Sequence, residues 1–207
     1  MAPLKTEAIV LKKHNFRETS VILSLYTEET GKIKGVLKGV RTENSKVPPL
    51  TFTPGACISA SIYIKRLSEL NLISSPSLLQ YYELSCKENL TVWRLILNIV
   101  DIFTPEKEPD KAIFYLLKDT GKILTDCQNP RIIFIAFKLK LIKILGYGIE
   151  LSRCVVCRKK STFYLFSGKL GGLICDNCKS RDMQGVNISK KIINIMLQME
   201  KMDIKRC

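Results

Sequence analysis

Val21-Ile-Leu-Ser-Leu-Tyr-Thr-Glu-Glu-Thr-Gly-Lys-Ile-Lys-Gly-Val-Leu37 is the stretch on which the fold turns. Two β-prone runs flank Glu28-Glu-Thr-Gly31, a hairpin turn in which Gly31 is free to take positive φ. In the second run Lys32, Lys34 and Lys38 share one parity while Ile33 and Leu37 share the other. Successive strand side chains alternate, so this predicts one cationic face and one core face. Three further runs, Ala8–Leu11, Cys57–Ile64 and Leu70–Ile73, are separated by turn signals. Five short strands of this kind predict a small barrel over residues 1–77, OB-fold or SH3-like. Gly35 and Gly39 permit the bulges and bends that a small barrel needs. The loop after Arg41 carries a basic tip at Lys46, and a basic barrel with a long loop is the usual OB-fold arrangement for following a phosphate backbone. Aromatic candidates for base stacking are few, Phe16, Tyr26, Phe52 and Tyr63, and are assigned mostly to the core.

Beyond Leu78 the period changes. Leu90–Phe103 has apolar residues at helical spacing around Trp93, Thr104-Pro-Glu-Lys-Glu-Pro-Asp110 interrupts it, and a second helix follows over Asp110–Thr125. Asn129-Pro130 opens Arg131–Leu145, apolar on nearly every side and therefore expected to be a buried central helix, ended by Gly146-Tyr-Gly148. The chain thus reads as α+β, with an N-terminal OB-fold barrel followed by an α-helical domain over 78–207. Near the end Ser189 is expected to cap an amphipathic helix carrying Ile192, Ile195, Met196, Met199 and Met202 on one side, packed back on the helical domain.

Within that second domain Cys154-Val-Val-Cys157 and Cys175-Asp-Asn-Cys178 are separated by seventeen residues. Two C-x-x-C pairs at this separation are a strong signature of one tetrahedral zinc held by four thiolates, and a shell closed by four Cys marks a structural site. With no apolar leader at the start, the chain is expected to stay in a reducing compartment, which disfavours disulfides. Ser161–Phe166 and the turns at Ser167-Gly168 and Gly171-Gly172 predict a small hairpin clamped by metal over 151–180. Cys57, Cys86 and Cys127 read as buried packing thiols.

The formal charge is +14 in 207 residues, with 46% hydrophobic content, and it is unevenly spread. Residues 131–160 hold eight basic and one acidic side chain, half of the net excess in thirty residues. An excess of this size points to a polyanionic partner such as nucleic acid, or to a membrane surface, and the block pattern favours the polyanion over a merely solvated face. A membrane span is not expected, because the longest apolar run, Ile132–Leu145, is short and carries Lys138, Lys140 and Lys143. Catalysis lacks its usual parts. The one histidine, His14, sits beside Lys12 and Lys13, and there is no phosphate-cradling Gly-Lys-Ser/Thr loop. A nuclease is disfavoured by the missing carboxylates. A binding protein is the expectation, and the alternative is a zinc-stabilised scaffold that bridges proteins without touching DNA.

Several pieces come in a familiar order: Ala8-Ile-Val-Leu, Glu18-Thr-Ser-Val-Ile, Tyr26-Thr-Glu-Glu-Thr-Gly31, Lys38-Gly-Val-Arg41, Phe137-Lys-Leu-Lys-Leu with Leu145-Gly-Tyr147, Cys154-x-x-Cys157, then Phe166 and Gly171-Gly-x-x-Cys-x-x-Cys178. From about residue 5 to 180 the chain resembles the RecO family of bacterial recombination mediators. The resemblance implies an N-terminal OB-fold, a helical domain carrying the zinc module, and binding to single- and double-stranded DNA. It further implies strand annealing and a role with RecR in placing RecA on DNA coated by single-strand-binding protein, in the bacterial cytoplasm at the nucleoid. On this reading DNA lies across the barrel face of Lys12, Lys13, Arg17, Lys32, Lys34, Lys38 and Arg41, with Lys46 in the adjoining loop. A second zone is expected at Arg131, Lys138, Lys140, Arg153, Arg158, Lys159 and Lys160.

Overall fold

The computed structural model describes residues 3–64, 70–84, 86–161, 164–201 and 204, which cluster into two compact units, 1–131 and 132–207. The first unit is built on five strands, β1 (Leu4–Phe16), β2 (Ser20–Thr27), β3 (Gly31–Leu37), β4 (Cys57–Tyr63) and β5 (Asn71–Gln80), closed in the order β1-β2-β3-β5-β4. Closure rests on the length of β1: its first half pairs with β4 and its second half with β2, both antiparallel, while β3 and β5 pair in parallel. The β1–β2 register shifts between Val10 and Lys12, so the bulge lies at Leu11 in β1. Gly35 serves another purpose than a bulge, since the Ile73 side chain of β5 packs where its Cβ would stand. Alternation fills the barrel with Val10, Leu23, Leu25, Ile33, Ile58, Ile62 and Ile73, and Phe52, in a 3-10 turn over Pro49–Phe52, joins that cluster.

Two helices belong to this unit, α1 (Lys87–Phe103) and α2 (Lys111–Asp126). The expected break at Thr104–Asp110 does more than end α1. It docks on β3, where Lys107 N donates to the Lys32 carbonyl at 2.8 Å, while Lys32 Nζ donates to the Asp101 carbonyl in the last turn of α1 at 2.6 Å. Gly31, at φ +72, lies so close to the Glu108 carbonyl that a Cβ has no room. Ser24 Oγ closes the same edge by donating to Asp101 Oδ1 at 2.6 Å. Asp110 caps α2 by accepting from Ala112 N at 2.8 Å, and α2 is tied to the barrel by Lys118 Nζ and Glu7 Oε2 at 2.8 Å. Between the helices, Asn89 Nδ2 donates to the carbonyls of Leu124 (2.8 Å) and Cys127 (3.1 Å). Of the three thiols expected to be buried, only Cys57 is; Cys86 is exposed at the N-cap of α1 and Cys127 is half-buried after α2, because helix ends face solvent.

The helix α3 (Pro130–Ile144) enters the second unit. It buries Ile133, Ala136, Phe137, Leu139 and Leu141 but leaves Ile132 and Ile135 exposed, so it is not buried all round as its composition predicted. Three short strands follow, β6 (Tyr164–Ser167), β7 (Gly172–Cys175) and β8 (Val186–Ile188), in the order β7-β6-β8. The expected hairpin is thus present with a third strand added; Thr162 and Phe163 lie outside the described residues. The last helix, α4 (Lys190–Lys201), is capped by Ser189, whose Oγ accepts from Ile192 N at 3.3 Å. Its buried face is Ile193 with Met196 and Leu197, packed with Leu151 and with Tyr164 and Leu173 of the small sheet. Ile192 and Ile195 point to solvent, and Met202 lies outside the described residues.

Candidate metal centre and nucleic-acid interface

The Sγ atoms of Cys154, Cys157, Cys175 and Cys178 all lie within 4.8 Å of one another, and those of Cys157 and Cys175 are 3.7 Å apart. A tetrahedron whose vertices stand about 2.3 Å from its centre has edges of about 3.8 Å, the spacing of thiolates around zinc. Local backbone geometry makes this convergence possible. Arg158 N donates to the Cys154 carbonyl at 2.9 Å, Cys154 N donates to the Lys159 carbonyl at 3.0 Å, and Arg158 takes φ 61, so the first pair sits on a closed knuckle. Val155 N donates to the Leu173 carbonyl at 2.8 Å and ties the knuckle to β7. Cys175 ends β7, and a 3-10 turn over Asp176–Arg181 brings Cys178 back beside it.

The donor set itself tests whether a cation fits. Burial would raise the Cys154 thiol, but the N–H groups of Cys157, Cys175 and Val156 outweigh it and bring it down to about 6. Burial, reinforced by the neighbouring sulfurs, pushes Cys178 up to about 12. Four thiols at this spacing cannot all ionise alone, whereas a divalent cation among them stabilises every thiolate. The cluster is therefore suited to hold one metal ion.

The cations expected at an interface divide into those tied within the chain and those left open. Lys32 is buried on the Asp101 carbonyl, and Lys34 is 2.7 Å from Glu106 Oε1. Lys32 is held by the last turn of α1, and Lys34 by the segment 104–110 docked onto β3. Arg41 Nη1 donates to the Arg17 carbonyl at 3.2 Å, which brings these two together at the β1–β2 turn, and Arg17 stands 5.2 Å over the Phe16 ring. Lys38 and Lys46 are exposed on the loops after β3. Arg131 pairs with Glu88 at 2.7 Å in the first unit. In the second unit Lys138 stands 4.5 Å over Phe134, Lys140 donates to the Glu200 carbonyl at 3.4 Å, and Glu150 Oε2 lies 3.3 Å from Arg153 and 3.8 Å from Arg158. Lys159 and Lys160 are exposed just beyond the knuckle.

Lys12 and Lys13 are exposed past the Leu11 bulge and open onto a cleft of about 340 Å³ between β1 and α1. Its walls are Leu11, Lys12 and Lys13 from β1, Pro54, and Arg94, Leu97, Asn98 and Asp101 from α1. Of the expected stacking residues, Tyr26 and Phe52 are core, and Lys13 Nζ lies 5.3 Å over the Phe52 ring.

The family model for the Recombination protein O N terminal matches residues 1–82, and that for the Recombination protein O C terminal matches residues 88–207. The chain belongs to the RecO family. Its relatives include the DNA repair protein RecO of Thermoanaerobacter sp. (strain X514), 31% identical over 188 residues, which are 87% of this chain and 73% of that protein. Those of Caldicellulosiruptor bescii and Bacillus pumilus are each 28% identical, over 100% and 98% of this chain and 84% and 79% of their own. As a RecO-family chain it carries a polar stripe that the block-charge reading passed over. Arg94, Asn98 and Asp101 stand at i, i+4 and i+7 on α1, in a segment whose net charge is negative. Their spacing beyond Trp93, where the rest of α1 is apolar, was the available signal.

Proposed function

We propose that this chain is a DNA-binding recombination mediator that acts in DNA repair. It binds single- and double-stranded DNA through phosphates, anneals complementary strands without a chemical step of its own, and works with RecR to load RecA onto strands covered by single-strand-binding protein. The observation that carries this reading is an OB-like barrel with Lys12 and Lys13 exposed at its rim, in a chain matched to the family over both parts. Arg17, Lys38, Arg41 and Lys46 extend the barrel zone, and Lys138, Arg153, Arg158, Lys159 and Lys160 form the second. Two zones allow two strands to be held at once, so annealing needs charge neutralisation and no nucleotide. Zinc in the four-cysteine site gives structural support. Among the described residues no helix is long and apolar enough to cross a membrane, and the reading places the chain in the bacterial cytoplasm, at the nucleoid.

The test is a salt titration of affinity for both DNA forms on the purified chain. Log affinity should fall linearly with log salt, and Lys12→Glu with Lys13→Glu should flatten that slope by about one unit per lost phosphate contact. Retention that ignores salt, or charge reversals without effect, would favour the protein-bridging scaffold instead.

A second expected result concerns Glu150. Its carboxyl is held down at about 2, chiefly by the Ser152 hydroxyl and N–H and further by Arg153, and it neutralises Arg153 and Arg158. Glu150→Gln keeps the Ser152 contacts but frees both guanidinium groups. DNA affinity should rise about two- to five-fold at low salt, with a steeper salt slope. An unchanged slope would remove Arg153 and Arg158 from the interface.

A further inference from the structure

The cleft between β1 and α1 has a composition that plain phosphate tracking does not need. In a regular strand Leu11, Lys12 and Lys13 would point alternately to opposite faces, yet all three line this one hollow. The bulge at Leu11 breaks the alternation and re-aims them, as bulges beside binding sites do. Across from them α1 contributes Arg94. Neither lysine nor Arg94 forms an ion pair among the described residues, so the cleft holds three cations against the one carboxylate of Asp101. Leu11, Leu97 and Pro54 supply an apolar surface, and Asn98 and Asp101 place an amide and a carboxylate on the same wall. Asp101 Oδ1 accepts from Ser24 Oγ at 2.6 Å, which fixes the carboxylate.

From this arrangement we infer that the cleft is a pocket for a single unpaired nucleotide, with its phosphate on Lys12, Lys13 and Arg94 and its base edge read by Asp101 and Asn98. The inference rests on the DNA-binding reading above and goes further, to strand form and base. A volume of about 340 Å³ is at the small end of ligand pockets, enough for one nucleotide, and a base locked in a duplex cannot enter. A carboxylate accepts and never donates. Cytosine offers it the N4 amine, together with acceptors for the Asn98 amide; thymine offers only N3–H, set between two carbonyl oxygens that a carboxylate repels. The pocket therefore favours amine-bearing bases over thymine. An acidic peptide would share the cations but meet repulsion at Asp101, which is why nucleic acid is the better occupant.

The experiment measures fluorescence anisotropy of oligo(dC), oligo(dT) and a duplex of equal length, at one salt concentration, with the full chain, Asp101→Asn and Arg94→Ala. The parent should bind oligo(dC) about ten-fold or more tighter than oligo(dT), the worth of one hydrogen bond to a charged group. Asp101→Asn retains an oxygen for Ser24 and leaves the backbone carbonyl that holds Lys32. Its amide can donate to thymine, so the preference should vanish or reverse while total affinity holds or rises. Arg94→Ala, on an exposed helix position, should weaken single strands more than duplex. Equal binding of the two oligonucleotides by the parent, or a ratio unmoved by Asp101→Asn, overturns the pocket and leaves the general DNA reading standing; no DNA binding at all overturns both. Displacement of oligo(dC) by an acidic peptide that binds Asp101→Asn more tightly assigns the cleft to a protein tail and also overturns the inference.

Discussion

Replacing Cys175 by Ser is expected to abolish metal binding and unfold the second unit's small sheet while the barrel unit stays intact. The strands involved are four, four and three residues long, and the buried cluster around Cys154, Ile174 and Cys175 is too small to hold them. For modules of this size, metal binding is folding free energy, of order 10 kcal/mol, and removing one of four ligands removes most of it. The loss should propagate to α4, since Ile193, Met196 and Leu197 pack on the same sheet. Two readouts separate the units. Hydrogen exchange at Leu165 and Ile174, whose backbones pair across β6 and β7, should lose protection. Fluorescence of Trp93, the one tryptophan in the chain, should not change, because it sits in the first unit. Elemental analysis of the parent should give one zinc per chain. A parent without metal, or a Cys175→Ser chain with β6–β7 still protected, would sink the structural-zinc proposal.

The parts that were legible in the sequence are those governed by neighbours along the chain. Residues 21–37 announce their hairpin because alternation and the Gly31 turn act within a few residues, and the cysteine pairs announce their cluster because C-x-x-C spacing dictates a knuckle whatever surrounds it. What was not legible depends on distant docking. Lys32 shares parity with Lys34, yet it is buried, since residues 104–110 lay their backbone against β3 and the last turn of α1 offers it the Asp101 carbonyl. The segment Lys12-Lys13-His14-Asn15 reads as the end of a strand because none of it is apolar; it stays a strand because β2 pairs with it through Ser20. In α4 the apolar residues 192, 193, 195, 196 and 197 wrap too far round to define one face, and only the small sheet selects Ile193 over Ile192.

The packing that holds α1 to the barrel predicts the largest effect on the first unit. Gly55 takes φ +93, and a Cβ there would strike Nε1 of the Trp93 indole, which is itself buried and meets Tyr82 edge-on with ring centroids 5.6 Å apart. Gly55→Ala therefore meets two penalties, a backbone conformation that L-residues avoid (about 1–2 kcal/mol) and overpacking against a ring with no room to retreat (about 1–3 kcal/mol). Trp93→Ala should cost about 3–5 kcal/mol through the cavity it leaves. The two are coupled. With the indole gone the steric part of the Gly55→Ala penalty disappears and only the backbone part remains, so the double variant should be more stable than the sum of the single losses implies. Urea unfolding followed by circular dichroism reads this without relying on tryptophan emission. Strict additivity, or a Gly55→Ala chain as stable as the parent, would show that the ring does not sit on the glycine. The contact also matters for binding, because Pro54 and Arg94, the chain neighbours of this pair, both line the cleft that Lys12 and Lys13 enter. A Cβ that pushes the indole away should disturb that lining, so Gly55→Ala should weaken binding of oligo(dC) more than binding of duplex, in conditions where the variant is still folded.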